Sequence, residues 1–259
     1  MSSAVILGSK NNAIFWECIL ALEPLMGTLL RVMNEDELMP WEKVGKEFAK
    51  SYKRAGMLVD LDRCIGCHSC SVSCKTENEV PLGNFRMRVR YLEQPDNKQI
   101  AFTPLICMHC VDAPCMKACP SKAIRREDDG RVFVDESRCD LEKECVEACP
   151  YGAISINVEK EVAEKCDFCQ HRTEVGMEPA CVSNCPTDAL VFGDLDDPES
   201  RISKLASKKE AKPWKPEAGT NPSVLYVNHS SWMEEKSNTG VQLDPKDMDV
   251  TYEQNNLTK

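Results

Sequence analysis

The sequence is short of aromatic residues and of positive charge, and each shortage excludes a class of protein. Only 6% of the 259 residues are Phe, Trp or Tyr, which is few for a core built from apolar side chains alone. Lys and Arg number 32 against 42 Asp and Glu, giving a formal net charge of -10. Because a nucleic-acid-binding protein needs a basic face to displace counterions, this charge balance excludes that class.

Long apolar runs and nucleotide-binding loops are also missing. The most apolar stretch, residues 13–33, is interrupted by Glu17, Glu23, Pro24 and Arg31 and is therefore a poor membrane span. No twin-arginine or secretory leader pattern is recognisable. No glycine-rich phosphate loop, nucleophile elbow or Ser/His/Asp pattern occurs. We expect neither a membrane span nor a catalytic site in this chain.

Cysteine, by contrast, is abundant: the chain has 16, and all but Cys18 lie between Cys64 and Cys185. They form four motifs, numbered in chain order: Cys64 to Cys74, Cys107 to Cys119, Cys139 to Cys149 and Cys166 to Cys185. Each motif ends in a C-x3-C step, and the last three end in Cys-Pro. A disulfide scaffold rarely repeats C-x2-C-x2-C, because thiols at that spacing bridge poorly. Structural zinc favours paired C-x2-C units in closed sites, which these motifs do not form. The spacing is typical of iron–sulfur clusters loaded in a reducing compartment.

The ligands of each cluster are expected to come from two motifs. In two-cluster ferredoxins, three closely spaced thiolates bind one cluster, while the fourth, one helical turn later, points to another. We therefore pair the first motif with the fourth and the second with the third. This pairing predicts Cys64, Cys67, Cys70 and Cys185 at site 1; Cys74, Cys166, Cys169 and Cys181 at site 2; Cys107, Cys110, Cys115 and Cys149 at site 3; and Cys119, Cys139 and Cys145 at site 4.

Site 4 is one thiolate short. Glu142 stands where the missing cysteine would be, three residues after Cys139 and three before Cys145. Three thiolates can hold a [3Fe-4S] cluster, or a [4Fe-4S] cluster whose fourth iron takes an oxygen ligand from Glu142, Asp140 or water. The three-iron form is favoured, because a carboxylate holds the labile iron more weakly than a thiolate does. The predicted cofactors are three [4Fe-4S] clusters and one [3Fe-4S] cluster, or a fourth [4Fe-4S] cluster with Glu142 as a ligand.

Four further residues resemble ligands without being needed as ligands. His68, His109 and His171 lie beside motif cysteines, but thiolates already suffice for three clusters. Each histidine is expected either to form hydrogen bonds around the ligand cysteines without binding metal, or to lie on the surface. Cys18, outside the motifs, is expected to be a small buried apolar residue.

Three regions follow from the composition: an N-terminal helical extension (1–55), a cysteine-bearing core (56–197) and a polar tail (198–259). In the extension, apolar residues recur at helical spacing, and Pro24 is predicted to bend or divide the helix. Its apolar face packs either on the core or on a partner. The tail is rich in Lys, Glu, Asn, Ser and Pro and is predicted to be extended, with disorder beyond about residue 240.

The core contains an internal repeat. Its units are Cys119-Pro-Ser-Lys-Ala-Ile, Cys149-Pro-Tyr-Gly-Ala-Ile and Cys185-Pro-Thr-Asp-Ala-Leu. Asp129-Gly130, between two apolar runs, predicts a tight hairpin. Short strands and helices in a repeated unit predict an α+β fold, with a duplicated ferredoxin-like core that carries the N-terminal helical extension and the extended C-terminal tail.

The core resembles the iron–sulfur electron-transfer (beta) subunits of the DMSO reductase family of molybdenum or tungsten oxidoreductases. The resemblance covers about 56–197. Three segments are typical of the tetrathionate, arsenate and polysulfide reductase branches: Cys74-Lys-Thr-Glu-Asn, His109-Cys110-x-Asp-Ala-Pro-Cys115 and Gly193-Asp-Leu-Asp-Asp-Pro198. The chain departs from the family at Glu142. Nitrate reductase beta subunits also lose this cysteine, although to an aromatic residue, and house a three-iron cluster there.

The resemblance implies a role in anaerobic respiration as an electron-transfer subunit of an oxidoreductase complex. Its partners would be a large molybdopterin-type catalytic subunit, facing site 1, and a membrane quinone or haem subunit or another acceptor, toward sites 3 and 4. The expected location is a peripheral, membrane-associated complex, in the cytoplasm or in the periplasm by co-export with a signal-bearing partner. One alternative is a polyferredoxin-like subunit of a hydrogenase or another non-molybdenum complex; another is a metal-stabilised scaffold without redox traffic.

Overall fold

The computed structural model describes residues 51–94 and 99–239. The expected helical extension up to residue 50, with Cys18, and the residues after 239 lie outside the described residues. The helices are α1 (Ser69–Glu77), α2 (Pro114–Ala118), α3 (Glu144–Ala148), α4 (Gln170–Thr173), α5 (Ala180–Ser183), α6 (Arg201–Lys208) and α7 (Ser231–Thr239). The strands are β1 (Ala55–Asp60), β2 (Arg88–Gln94), β3 (Gln99–Leu105), β4 (Ile124–Arg126), β5 (Val132–Val134), β6 (Ser155–Asn157), β7 (Val162–Glu164), β8 (Leu190–Asp194), β9 (Lys212–Pro213) and β10 (Val224–Val227).

A four-stranded sheet of order β8-β1-β10-β9 separates two apolar cores. Strand β1 runs antiparallel to β8 and parallel to β10, and all of its residues are buried, as expected for a strand covered on both faces. Leu58 packs with Val191 and with Ile202 of α6. Met57 and Val59 belong instead to the larger core that contains the motif cysteines. The sheet therefore supports the cysteine-bearing part of the molecule on one face only.

Three two-stranded hairpins complete the α+β architecture: β2 with β3, β4 with β5, and β6 with β7. The hairpin predicted at Asp129-Gly130 is confirmed, because Ile124 of β4 pairs with Val134 of β5. Gly130 has φ +84, a left-handed conformation that glycine adopts without a steric cost.

The segment from residue 198 to β10 is part of the folded body, so the prediction of a tail outside the core is wrong for these residues. They form α6, β9 and β10, and β10 lies in the middle of the sheet. Trp214 and Tyr226 are 1% and 0% exposed, with ring centroids 4.9 Å apart. The Tyr226 hydroxyl donates to the Pro104 carbonyl at 2.8 Å. Strand pairing and the burial of two large rings outweigh the polar composition from which a tail was predicted.

Replacing Trp214 with alanine is expected to lower the free energy of unfolding by about 3–5 kcal/mol, because it removes a fully buried ring from the core. Thermal unfolding of the anaerobically purified protein measures the loss. Trp232→Ala is the matched control, since Trp232 is only half-buried, and it is expected to cost less. Equal melting temperatures for the two variants would contradict the placement of Trp214.

Candidate metal centres

Three of the four motifs end in the same backbone turn. In each, the residue three positions after the last cysteine donates its N–H to that cysteine's carbonyl: Lys122 to Cys119 (3.3 Å), Gly152 to Cys149 (3.1 Å) and Asp188 to Cys185 (3.3 Å). All three donors are left-handed. The alanine that follows points its N–H at the sulfur, at 3.5 Å from Ala153 to Cys149 and at 3.2 Å from Ala189 to Cys185. The repeated Cys-Pro-x-x-Ala sequence thus forms a turn that presents a hydrogen-bond donor to a sulfur.

These donors alter the ionisation of two of the thiols. Burial alone would raise the pKa of Cys185, but hydrogen bonds from the backbone and hydroxyl of Thr187 and from the Ala189 N–H outweigh it and lower the pKa. The pKa of Cys119 is lowered in the same way, by Ser121 and the backbone N–H groups that follow it. A lower pKa favours the thiolate, which is the form that binds iron.

The loops of the first and third motifs share a conformation in which Glu142 takes the place of Cys67. The residues on either side of this position are left-handed in both loops, with φ +68 and +61 at Gly66 and His68, and +61 and +68 at Leu141 and Lys143. A helix begins at the next residue in each case, α1 at Ser69 and α3 at Glu144. Glu142 and Cys67 are both exposed. The third motif therefore keeps the ligand-binding loop and presents a carboxylate where the first motif presents a thiol.

At site 1, Cys64, Cys67, Cys70 and Cys185 lie together. Burial raises the pKa of Cys70 to about 11, and the thiolates of the other three add to this shift. Strand β3 closes over the loop, since a Cβ atom at Gly66 would lie 2.3 Å from Cδ1 of Phe102. Together with its φ of +68, this close approach requires glycine at position 66.

At site 2, Cys74, Cys166, Cys169 and Cys181 lie together at the most buried of the four positions. Burial raises the pKa of Cys166 well above its usual value, and the other three thiolates of the site raise it further. The thiolate of Cys70, from site 1, also raises the pKa of Cys181. Sites 1 and 2 are therefore direct neighbours.

Sites 3 and 4 each line a cavity. Cys107, Cys110, Cys115 and Cys149 line one small cavity, and Cys119, Cys139 and Cys145 line the other, together with Glu142 and Asp140. Burial, and to a smaller extent the thiolates of Cys119 and Cys139, raise the pKa of Cys145 to about 11. Cys119 thus lies with the third motif and Cys149 with the second. That each set binds one cluster stays a prediction.

The donor sets fit a polynuclear cluster. All 15 cysteines of the described residues are free thiols. Within 51–94 and 99–239, no three His, Cys, Asp or Glu side chains lie close enough together to hold a single metal ion. A cluster spreads its ligands around a cage of several irons, so sets of thiols arranged around a cavity are compatible with a cluster.

Comparison with known proteins agrees with this chemistry. Residues 98–195 match a family model described as a 4Fe-4S dicluster domain, and residues 55–76 match a 4Fe-4S binding domain. A tetrathionate reductase subunit of Salmonella typhimurium is 46% identical over 180 residues, covering 67% of this chain and 72% of the relative. A polysulfide reductase subunit of Wolinella succinogenes is 39% identical over 181 residues, covering 68% and 94%. The arsenate respiratory reductase iron-sulfur subunit of a Shewanella species is 35% identical, covering 67% and 96%.

The chain therefore belongs to the iron–sulfur electron-transfer subunits of the DMSO reductase family. The family assignment made from the motifs is confirmed. Among the described residues, none of the helices combines the length and the hydropathy needed to cross a membrane.

In this member of the family, Asn78 and Arg86 support site 2. The Asn78 amide nitrogen lies 3.7 Å from the sulfur of Cys74 and 3.8 Å from that of Cys169. Its amide oxygen accepts a hydrogen bond from Arg86 at 3.1 Å. Because a guanidinium can only donate, this bond fixes the amide with its nitrogen toward the two sulfurs. Arg86 is itself held by Glu164 at 3.0 Å and Asp167 at 3.1 Å.

Replacing Asn78 with leucine is expected to lower the midpoint potential of the cluster at site 2 by roughly 40 mV, because hydrogen bonds to sulfur stabilise the more negative reduced state. A redox titration followed by electron paramagnetic resonance (EPR) measures the shift. Asn184→Leu is the matched control. Asn78 and Asn184 each donate to the carbonyl four residues earlier, that of Cys74 and of Ala180, but among the described residues no hydrogen bond joins Asn184 to a sulfur. A shift of the same size in both variants would refute the role of Asn78.

Site 3 receives a residue from the segment predicted to be a tail. Burial raises the pKa of Cys110 to about 11. Thr220, which is itself buried, hydrogen-bonds to this thiol and opposes the rise. The Thr220 hydroxyl lies 2.6 Å from that of Tyr151. Sequence reasoning missed Asn78, Arg86 and Thr220. Asn78, one helical turn after Cys74, could have been found from its spacing, whereas the other two lie outside every motif.

The three motif histidines differ in position. His68 and His171 are exposed, and His171 Nε2 lies 2.8 Å from the carboxylate of Glu77. His109 is fully buried. Its burial lowers the pKa well below the usual value, and the charge of Lys165 lowers it further, so the ring is neutral.

Proposed function

We propose that this chain relays single electrons through four iron–sulfur clusters, between a molybdopterin-type catalytic subunit and a membrane quinone or haem subunit or another redox partner. The arrangement of the four thiol sets carries the proposal. Site 1 adjoins site 2 through Cys70 and Cys181, and site 4 shares the second and third motifs with site 3. His109, beside site 3, stacks on Phe168, beside site 2. A continuous series of sites is what a relay requires.

The ligands would be the four sets as they lie in the structure, with clusters that supply one-electron storage when bound. Sites 1, 2 and 3 would each hold a [4Fe-4S] cluster on four thiolates. Site 4 would hold a [3Fe-4S] cluster on Cys119, Cys139 and Cys145. The chain's own part is to hold the thiolates, to direct N–H donors at them and to keep water away from site 2.

A duplicated ferredoxin-like core accounts for the order of the sites. The first and fourth motifs would form one module around sites 1 and 2, and the second and third motifs would form the other. The shared Cys-Pro turn and the shared loop of the first and third motifs support this division. On the same basis, the N-terminal boundary of the core would lie near residue 55, whereas the folded core continues past residue 197 to β10.

The partners follow from the relatives, which are named as subunits of tetrathionate, polysulfide and arsenate reductases. Site 1 would face the catalytic subunit, since Cys67 is exposed. Sites 3 and 4 would lie toward the membrane subunit or another acceptor. The chain would thus be a peripheral subunit of a membrane-associated complex.

Anaerobic purification on a tag attached to this chain tests the proposal. We expect a brown complex whose visible absorption bleaches with dithionite and returns on oxidation. We also expect a co-purifying polypeptide that contains molybdenum or tungsten and a pterin. A co-purifying nickel protein without pterin would instead support the hydrogenase alternative. A colourless zinc-containing product would reject both.

A further inference from the structure

His109 sits in the loop of the second motif with one nitrogen satisfied and the other without a partner. Its Nδ1 accepts a hydrogen bond from the Val132 N–H at 3.0 Å, so the proton of the neutral ring is on Nε2. Nε2 is buried and has no hydrogen-bond partner among the described residues. The Cys166 carbonyl lies near the ring and accepts the Lys165 ammonium at 2.9 Å, but it makes no hydrogen bond of normal geometry with Nε2. A buried N–H without an acceptor is costly, so a ligand that accepts from it would be stabilised there.

The His109 ring stacks on Phe168, with centroids 3.7 Å apart and planes at 20°. Phe168 is 0% exposed and stands between Cys166 and Cys169 of site 2, while His109 stands between Cys107 and Cys110 of site 3. Both residues are left-handed, with φ +44 and +58, which is strained for bulky side chains. The two loops that carry ligands of different sites therefore meet through these two rings.

A buried network joins the same two loops. Val132 donates to His109, and its carbonyl accepts from Lys165, which is 3% exposed. Lys165 also donates to the Cys166 carbonyl. Burial raises the pKa of Cys115 at site 3 to about 12, and the charge of Lys165 opposes this rise. After burial, the largest effects on the pKa of His109 come from the positive charges of Lys165, Arg131 and Arg126. This environment suits an anionic acceptor at Nε2.

We propose that His109 is a positioning residue between sites 2 and 3: its Nε2–H donates to a cluster sulfur at one of these sites, and its ring, stacked on Phe168, is the contact through which an electron crosses between them. The inference rests on the proposed function. The step moves one electron from the reduced side to the oxidised side, and no proton or atom is transferred. The Nε2–H keeps its proton throughout.

Three variants in the complete complex separate the two roles. His109→Phe keeps a ring but removes the donor, His109→Gln keeps an N–H donor but removes the ring, and Phe168→Leu removes the stacking partner. His171→Phe is the control, because His171 is an exposed histidine in the fourth motif. Iron content is measured first, then the four midpoint potentials by EPR-monitored titration, and then the rate of electron passage by freeze-quench.

With His109→Phe, we expect the midpoint potential of the cluster at site 2 or site 3 to fall by about 59 mV. This shift corresponds to a tenfold change in a one-electron equilibrium constant. Sites 1 and 4 should not change. His109→Gln should keep potentials near the wild-type values, and Phe168→Leu should slow electron passage several-fold at unchanged potentials. His171→Phe should alter nothing.

The inference is overturned if His109→Phe leaves all four potentials unchanged, if all four shift together, or if His109→Gln lowers the potential as far as His109→Phe. It is also overturned if Phe168→Leu passes electrons at the wild-type rate. In each of these cases four clusters in the wild-type complex would still support the proposed relay. Absence of clusters from the wild type would reject the relay itself.

Discussion

Replacing Glu142 with cysteine is expected to add one iron atom to the protein and to abolish the narrow EPR signal of an oxidised [3Fe-4S] cluster. The residues on either side of position 142 have the same left-handed conformation as those on either side of Cys67, and in both loops a helix begins two residues later. A thiol introduced at Glu142 would therefore reach site 4 without rearrangement of the loop. Thiolate binds the fourth iron more tightly than a carboxylate does, so the site should fill.

Glu142→Gln is the matched control for this change. If Glu142 is not a ligand, the amide variant should retain both the wild-type iron content and the narrow signal. If Glu142 holds a fourth iron, the wild type should lack the narrow signal and the amide variant should gain it. The latter pair of results would contradict the three-iron assignment and establish the carboxylate as a ligand.

The crossed pairing of motifs predicts that two cysteines in equivalent turns affect different EPR signals when each is replaced. Cys119 belongs to the second motif but lies at site 4, and Cys149 belongs to the third motif but lies at site 3. Cys119→Ser should therefore abolish the narrow three-iron signal. Cys149→Ser should leave that signal intact and alter a [4Fe-4S] signal instead.

The two variants control for each other, because both remove the thiol that precedes proline in a Cys-Pro turn. General misfolding would affect both spectra in the same way. Loss of the narrow signal in Cys149→Ser, with its survival in Cys119→Ser, would mean that each cluster is bound within one motif. That result would refute the assignment of all four sites.

The parts of the structure that depend on local sequence were predictable. The Cys-Pro-x-x-Ala turn and the hairpin at Asp129-Gly130 follow from residues adjacent in the chain. The spacing of short motifs also restricts which thiols can share a cluster, so a grouping of the cysteines could be predicted; that each group binds one cluster stays a prediction.

The parts that depend on distant pairing were not predictable. The run Val224-Leu-Tyr-Val is compatible with an extended segment, but no local feature indicates that it lies in the middle of this chain's own sheet, where Val224 pairs with Met57 of β1. The same pairing brings Thr220 to Cys110, so the missed strand and the missed contact at site 3 have one cause. The three motif histidines look alike in sequence, and only packing against Phe168 distinguishes His109 from the other two.

The content of iron and acid-labile sulfide in the wild-type complex, purified without oxygen, tests the four-site arrangement most directly. Three four-iron clusters and one three-iron cluster require about 15 iron atoms in this chain, together with the narrow signal in the oxidised sample. A chain free of iron, with zinc bound to its thiols or no metal at all, would contradict the account.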